Sequence, residues 1–144
     1  MPSIPLHYID LRAFCYVTED EKRVEDALSL FLPEEFELDR VESEGHYGDR
    51  ILVLSARVEN ADGVRSVLDT LGDLADEELK RVERQLDERV DENTSFFLTL
   101  DKQAAYHGDV QLGDGITLRA KVEAYPAKKD HAIDNVEDIL DDLS

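Results

Sequence analysis

The pattern of apolar and polar positions changes period several times along the chain, and each change marks an element. From Leu6 to Val17 apolar and polar residues alternate imperfectly, and Tyr8, Phe14 and Tyr16 favour extended backbone, which predicts a first strand. Val24, Ala27, Leu28 and Phe31 then follow at helical spacing, and Pro33 closes the element. Thr18 and Glu21 stand three residues apart ahead of that run, as in a capping box, and Glu19, Asp20 and Glu21 face the positive end of the helix dipole. Phe36 to Glu44 and Arg50 to Val58 read as two strands. The loop Gly45-His46-Tyr47-Gly48-Asp49 joins them as a β-hairpin with a longer connection.

In the second half, Asn60 or Asp62 can cap a short helix through Val64, Val67, Leu68 and Leu71, ended by Gly72. A longer helix from about Asp76 to Val90 turns Leu79, Val82, Leu86 and Val90 inward. Its outer face carries Lys80, Arg81, Arg84 and Arg89 interleaved with Glu77, Glu83, Asp87 and Glu88. Ser95 to Leu100 reads as a strand and Asp109 to Leu112 as a short extended piece. The turn Gly113-Asp114-Gly115 leads into a strand from Ile116 to Tyr125, whose alternation argues one buried face, and Pro126 stops it. A terminal helix runs from Asp130 to Leu143 through Ile133, Val136, Ile139 and Leu140.

This order predicts an α+β fold, a mainly antiparallel sheet with helices packed on one face, in one domain spanning residues 1–144. The other sheet face exposes Arg50, Arg57, Arg119 or Lys121 if the register falls that way. A slip of one residue reverses this.

Composition changes the picture through charge. The 144 residues suffice for one core without disulfides, yet 35 acidic against 16 basic residues leave a formal net charge of −19. The acid is spread along the chain, and arginine outnumbers lysine by ten to six. Such a chain fits a salt-saturated cytoplasm, where self-repulsion is screened over roughly 3 Å at 1 M salt. The charge therefore does not argue against an anionic partner. Its alternative reading, a surface for cations or a basic protein, lacks a compact ligand set.

Cys15 is the single cysteine and lies in an apolar run, which excludes an intramolecular disulfide and a thiolate metal site and marks it as a small core residue. No run of eighteen apolar residues and no leader-like N-terminus occur, so a cytoplasmic protein without a membrane partner is expected. Phosphate loops, a nucleophile elbow and histidines at metal spacing are all missing, and His7, His46, His107 and His131 are scattered. No carboxylate pair stands out for acid/base work. The expectation is a protein without catalytic constellation, metal or cofactor.

The densest recognition chemistry is Asp101-Lys102-Gln103-Ala104-Ala105-Tyr106-His107-Gly108. Lys102 can meet a phosphate, Gln103 a base edge, and Tyr106 or His107 can stack, while Gly108 permits a backbone angle other residues avoid. The alternative is turn punctuation around a half-buried ring. The basic helix face has the same two readings, a phosphate track or a solvated lattice of charge pairs. His46 and His107 each lie beside a tyrosine in a glycine-bearing loop, and if the loops meet they form one site.

The segments His7-Tyr8, Arg12 to Tyr16, Thr18 to Val24, Gly45-His46-Tyr47-Gly48 and Asp101 to Tyr106 together resemble an archaeal family of small RNA-binding proteins described as predicted exosome subunits. The resemblance runs from about residue 5 to residue 140, and the charge pattern looks haloarchaeal. It implies an α+β fold similar to the large-subunit ribosomal protein that holds 5S ribosomal RNA, and a non-catalytic RNA binder. Thr99 and Leu100 stand where relatives often carry a basic residue. On this reading Arg12, Arg50 and Lys102 contact phosphates, and Gln103, Tyr106, His46 and Tyr47 contact bases or sugars. The partners implied are structured or ribosomal RNA and exosome proteins. The alternative is an assembly factor that docks a protein, and pairing of two copies along a sheet edge is compatible with either.

Overall fold

The computed structural model describes residues 4–33, 36, 38–44, 48 and 50–143. Among these residues five strands and six helices follow one another as β1 (Leu6–Tyr16), α1 (Glu21–Ser29), β2 (Asp39–Glu44), β3 (Arg50–Val58), α2 (Ala61–Leu71), α3 (Asp76–Arg84), α4 (Leu86–Arg89), β4 (Ser95–Asp101), α5 (Lys102–Tyr106), β5 (Gly115–Val122) and α6 (Lys129–Leu143). The strands form one sheet in the order β2-β3-β1-β5-β4, with every neighbouring pair antiparallel. The fold is α+β, as the alternation predicts.

Period-2 burial decides which side is covered. Ile9, Leu11, Ala13 and Cys15 of β1, Leu52, Leu54, Ala56 and Val58 of β3, Leu98 and Leu100 of β4, and Ile116, Leu118, Ala120 and Val122 of β5 are all buried. They share one core with Val24, Ala27 and Leu28 of α1, Val64 and Val67 of α2, Leu79 and Val82 of α3, Leu86 of α4 and Val136 of α6. Since side chains alternate across a strand, the intervening residues must face the opposite way, and no helix among the described residues covers them.

The local ends depart from the sequence pattern in several places, among them β5, which ends at Val122 rather than running to Tyr125 and Pro126. The carboxylate of Asp20, not Thr18, caps α1 by accepting the Lys22 amide at 2.9 Å, because Thr18 is spent in the Tyr16–Glu19 turn. The expected long helix is broken at Gln85, whose backbone angles leave the helical region between α3 and α4, although the inward residues Leu79, Val82, Leu86 and Val90 are buried as expected. The segment expected as a loop after β4 is the short helix α5, capped by the Asp101 carboxylate on the Ala104 amide at 2.9 Å. Asn60 caps α2 through the Gly63 amide. Gly63 has a packing role there, since a Cβ would lie 2.6 Å from Val58 Cγ1.

Candidate functional site

The register sorts the cations of the sheet. Arg57, Arg119 and Lys121 fall on the open face, and Arg50 does not, because it shares its parity with the buried Leu52 and Leu54. Within the strands that face carries Arg12, Arg57, Arg119 and Lys121 against Asp10, Asp39 and, at a strand end, Asp101, four cations less three carboxylates, or +1, in a chain whose total is −19. The one open face is thus relieved of the acid that covers the rest.

Side-chain geometry builds this face in rows. Asp10 on the central strand lies directly opposite Arg57 on β3 and Arg119 on β5. Arg57 donates from Nε to Asp10 Oδ1 at 2.8 Å and from Nη2 to Oδ2 at 3.0 Å, a bidentate fork. That bond raises the Arg57 pKa above its ordinary value. Arg119 Nη2 lies 3.5 Å from Asp10 Oδ2 and donates to the Tyr8 hydroxyl at 3.2 Å. The Tyr8 ring is shared by both arginines, with Arg57 Cζ 4.0 Å and Arg119 Cζ 6.0 Å from its centroid. Arg119 Nε is buried without a partner among the described residues.

The next row runs Asp39, Ser55, Arg12, Thr117 and Thr99 across all five strands. Arg12 is exposed, with its guanidinium 5.7 Å from the Phe14 centroid, and has no ion pair among the described residues. These two rows and Phe97 line an open hollow of about 560 Å³. Beyond them Phe14, Val41 and Tyr16 are exposed by 37%, 58% and 50%. Lys121 is tied to the Asn93 carbonyl.

The segment after β4 is built differently. Lys102 turns inward. Its Nζ donates to Glu19 Oε1 at 2.7 Å and to the Phe14 carbonyl at 2.9 Å, its side chain is 11% exposed, and the Tyr16 ring lies 5.4 Å away. Gly115, at φ +114°, makes room for this, since a Cβ there would sit 2.5 Å from Lys102 Cβ. Gln103 is exposed, and Tyr106 is half-buried where α5 packs on α1, with Arg23 Cζ 4.9 Å from its centroid. With Thr18, Glu19 and Asp20 they line a second hollow of about 330 Å³. Arg50 lies on the helix side, 3.3 Å from Glu42.

His46 and Tyr47 lie outside the described residues, and so does their meeting with His107. Glu44 ends β2 and Arg50 begins β3 at the end of the sheet from which α5 leaves β4, with β3 and β4 three strand spacings, or about 14 Å, apart. Sequence reasoning passed over Asp10 and Tyr8. The signal was present in β1, where Tyr8, Asp10, Arg12, Phe14 and Tyr16 share one parity.

Cys15 is buried, and burial pushes its thiol pKa up, so it behaves as the core residue the sequence suggests. Burial lowers the pKa of Arg89, which is bonded to Gln85 rather than free on the outer face of the basic helix. Among the described residues no group of three histidine, cysteine or acidic side chains could hold a metal ion, and no helix is long and apolar enough to cross a membrane.

A five-stranded antiparallel sheet with the described helices behind it, and arginines, hydroxyls and aromatic rings in front, defines a small α+β fold with one open sheet face. Comparison with known proteins makes this specific. The chain belongs to the family whose model is described as RNA binding, which matches residues 8–122. It is 36% identical over 148 residues to RNA-binding protein PAB1135 of Pyrococcus abyssi, with 96% of each chain covered. An uncharacterized protein of Methanocaldococcus jannaschii, MJ0213, is 32% identical over 118 residues, with 76% of this chain and 78% of that one covered. Among solved structures, Mth689, a DUF54 protein from Methanothermobacter thermautotrophicus, superposes with a TM-score of 0.80 at 36% identity, covering 94% of this chain and 98% of its own.

Proposed function

We propose that this protein is a non-catalytic RNA binder that receives RNA on the open face of its sheet. The observation that carries the reading is the concentration of Arg12, Arg57 and Arg119, with Tyr8, Phe14 and Phe97, on the one uncovered face of a chain carrying −19. Family membership and the printed name of the Pyrococcus relative support it. Arg12 meets a phosphate with an uncommitted fork, and the neighbouring hydroxyls of Ser55 and Thr117 add polar contacts to backbone oxygens. Arg50, Gln103, Tyr106, His46 and Tyr47 extend the contact around the end of the sheet. Lys102, bound to Glu19 and Phe14, sets the position of α5 so that Gln103 faces outward.

Structured or ribosomal RNA is the class of ligand proposed, in the cytoplasm, with the exosome as the RNA-processing partner that the family resemblance implies. The acidic helix side fits work at molar salt, where its repulsion of RNA is screened. The test is fluorescence anisotropy with a labelled structured RNA in molar potassium chloride, comparing the wild type with an Arg12→Ala/Arg119→Ala variant shown to be folded by circular dichroism. The variant is expected to bind at least about tenfold more weakly, since each lost arginine contact is worth roughly a kcal/mol or more. Unchanged affinity removes the open face from the account. A protein-docking role is the second reading, favoured by the fully exposed strand β2, whose outer edge has no strand partner among the described residues.

A further inference from the structure

Not all arginines on the open face can do the same work. Among the described residues no hydrogen bond or ion pair engages the edge of Arg12, whereas Arg57 has spent Nε and Nη2 on the two oxygens of Asp10. A phosphate that approached Arg57 by the same edge would have to displace a carboxylate already seated in the ideal fork, and the Asp10 charge would repel it. What Arg57 still offers is its flat face. Its Cζ lies over the Tyr8 ring, 4.0 Å from the centroid, and the side chain is 49% exposed.

We infer that Arg57, fixed over the Tyr8 ring by Asp10, seats the face of one unpaired RNA base on its guanidinium, while Arg12, two residues beyond Asp10 on β1, holds a phosphate of the same RNA segment. This deepens the RNA-binding reading above and rests on it. A guanidinium plane whose edge is occupied is a stacking surface, and proteins use such planes, as they use aromatic rings, to receive splayed-out bases. In a duplex both faces of each base are covered by its neighbours, so the seat selects unpaired nucleotides. Purines, with the larger ring face, bind it better than pyrimidines. The hollow that Arg57, Asp10 and Arg12 line, about 560 Å³, falls in the range of pockets that accept a ligand the size of a nucleotide.

Asp10 is a positioning residue here, and this gives its neutralisation an unusual sign. Asp10→Asn makes the face more positive by one charge. If the face acts by charge alone, the variant binds RNA more tightly. If Asp10 holds the stacking plane, it binds unpaired RNA more weakly, because the freed Arg57 side chain leaves the Tyr8 ring.

The experiment uses the full chain, an RNA hairpin with 2-aminopurine in an unpaired loop, and a fully paired duplex of matched length, at one fixed molar salt concentration. The wild type is expected to prefer the hairpin and to change the 2-aminopurine fluorescence on binding. Arg57→Lys keeps the charge and removes the plane. It is expected to lose about tenfold in hairpin affinity and most of the fluorescence change, with duplex binding unaltered. Arg12→Lys keeps a point charge but loses the fork, and is expected to weaken hairpin and duplex alike while leaving the 2-aminopurine change intact. Asp10→Asn is expected to follow Arg57→Lys in weakening the hairpin. The inference is overturned if Arg57→Lys behaves like Arg12→Lys, or if Asp10→Asn binds the hairpin more tightly. A wild type that binds the two RNAs equally, without a fluorescence change, overturns the inference and leaves RNA binding standing. A wild type that binds neither RNA overturns both readings together.

Discussion

Two cations of this protein, Lys102 and Arg12, stand at opposite ends of the relation between conspicuous sequence and available chemistry. Lys102 belongs to the most recognition-like stretch of the chain, yet its ammonium is enclosed by Glu19, the Phe14 carbonyl and the Tyr16 ring. Arg12 sits in an ordinary strand, and the sheet leaves it exposed beside hydroxyls on both neighbouring strands. The difference comes from topology. α5 leaves the end of β4 at the point where the β1–α1 turn brings Glu19 across, whereas no element among the described residues passes over the front of β1. A cation becomes a pin or a contact according to what the fold places next to it.

The sharpest separation is available on one strand. Leu11 and Arg12 are adjacent, but Leu11 is fully buried among the helices and Arg12 points to the open side. Leu11→Ala should cost about 3 kcal/mol, the sum of lost transfer energy and an unfilled cavity, as read from denaturant midpoints at fixed salt. Arg12→Ala should change stability by no more than about 0.5 kcal/mol and reduce RNA affinity. If both variants unfold the protein to the same extent, the open face is covered by something and the comparison between the faces collapses.

Lys102→Ala comes next. Removing one partner of a largely buried pair leaves the other desolvated, and here Lys102 and Glu19 side chains are only 11% and 21% exposed. The expected loss is about 2 kcal/mol, reduced from the fully buried case by the residual exposure of Glu19. Lys102→Ala/Glu19→Gln should recover part of that loss, because the uncompensated carboxylate is gone. A Lys102→Ala protein of unchanged stability and strongly weakened RNA binding would make Lys102 a contact and erase its contrast with Arg12.

The elements of this comparison were unequally legible in the chain. Strand β3 begins and ends at Arg50 and Val58 in both sequence and structure, because alternation over nine residues is a local signal with one solution. The stripe Leu79, Val82, Leu86 and Val90 was legible for the same reason, although the break at Gln85 left no mark in it. Register was not legible. It depends on pairing between strands far apart in sequence, so the face that carries Arg57 and Arg119 and excludes Arg50 emerges only from the assembled sheet. The same holds for the fate of individual cations. Arg57 meets Asp10 across 47 positions and Lys102 meets Glu19 across 83, separations over which local motifs carry no information.

The smallest effect tests the anchored end of the molecule most selectively. Thr18 and Asp20 both have the chemistry of a helix cap, and the capping-box spacing of Thr18 and Glu21 favours Thr18. In the folded chain Asp20 takes the position, with extended backbone angles and its carboxylate on the Lys22 amide, because the turn from Tyr16 to Glu19 must place Glu19 against Lys102 before the helix can begin. Asp20→Ala should therefore cost about 1 kcal/mol and Thr18→Ala only a few tenths. Both substitutions lie on the α1 side, and neither removes a cation from the open face, so RNA affinity measured on the folded fraction should stay within about twofold of the wild type for each. The reverse order of stabilities would place the helix start at Thr18. That would move Glu19 into the first turn, away from Lys102, and release the ammonium whose enclosure distinguishes the end of the sheet from its face.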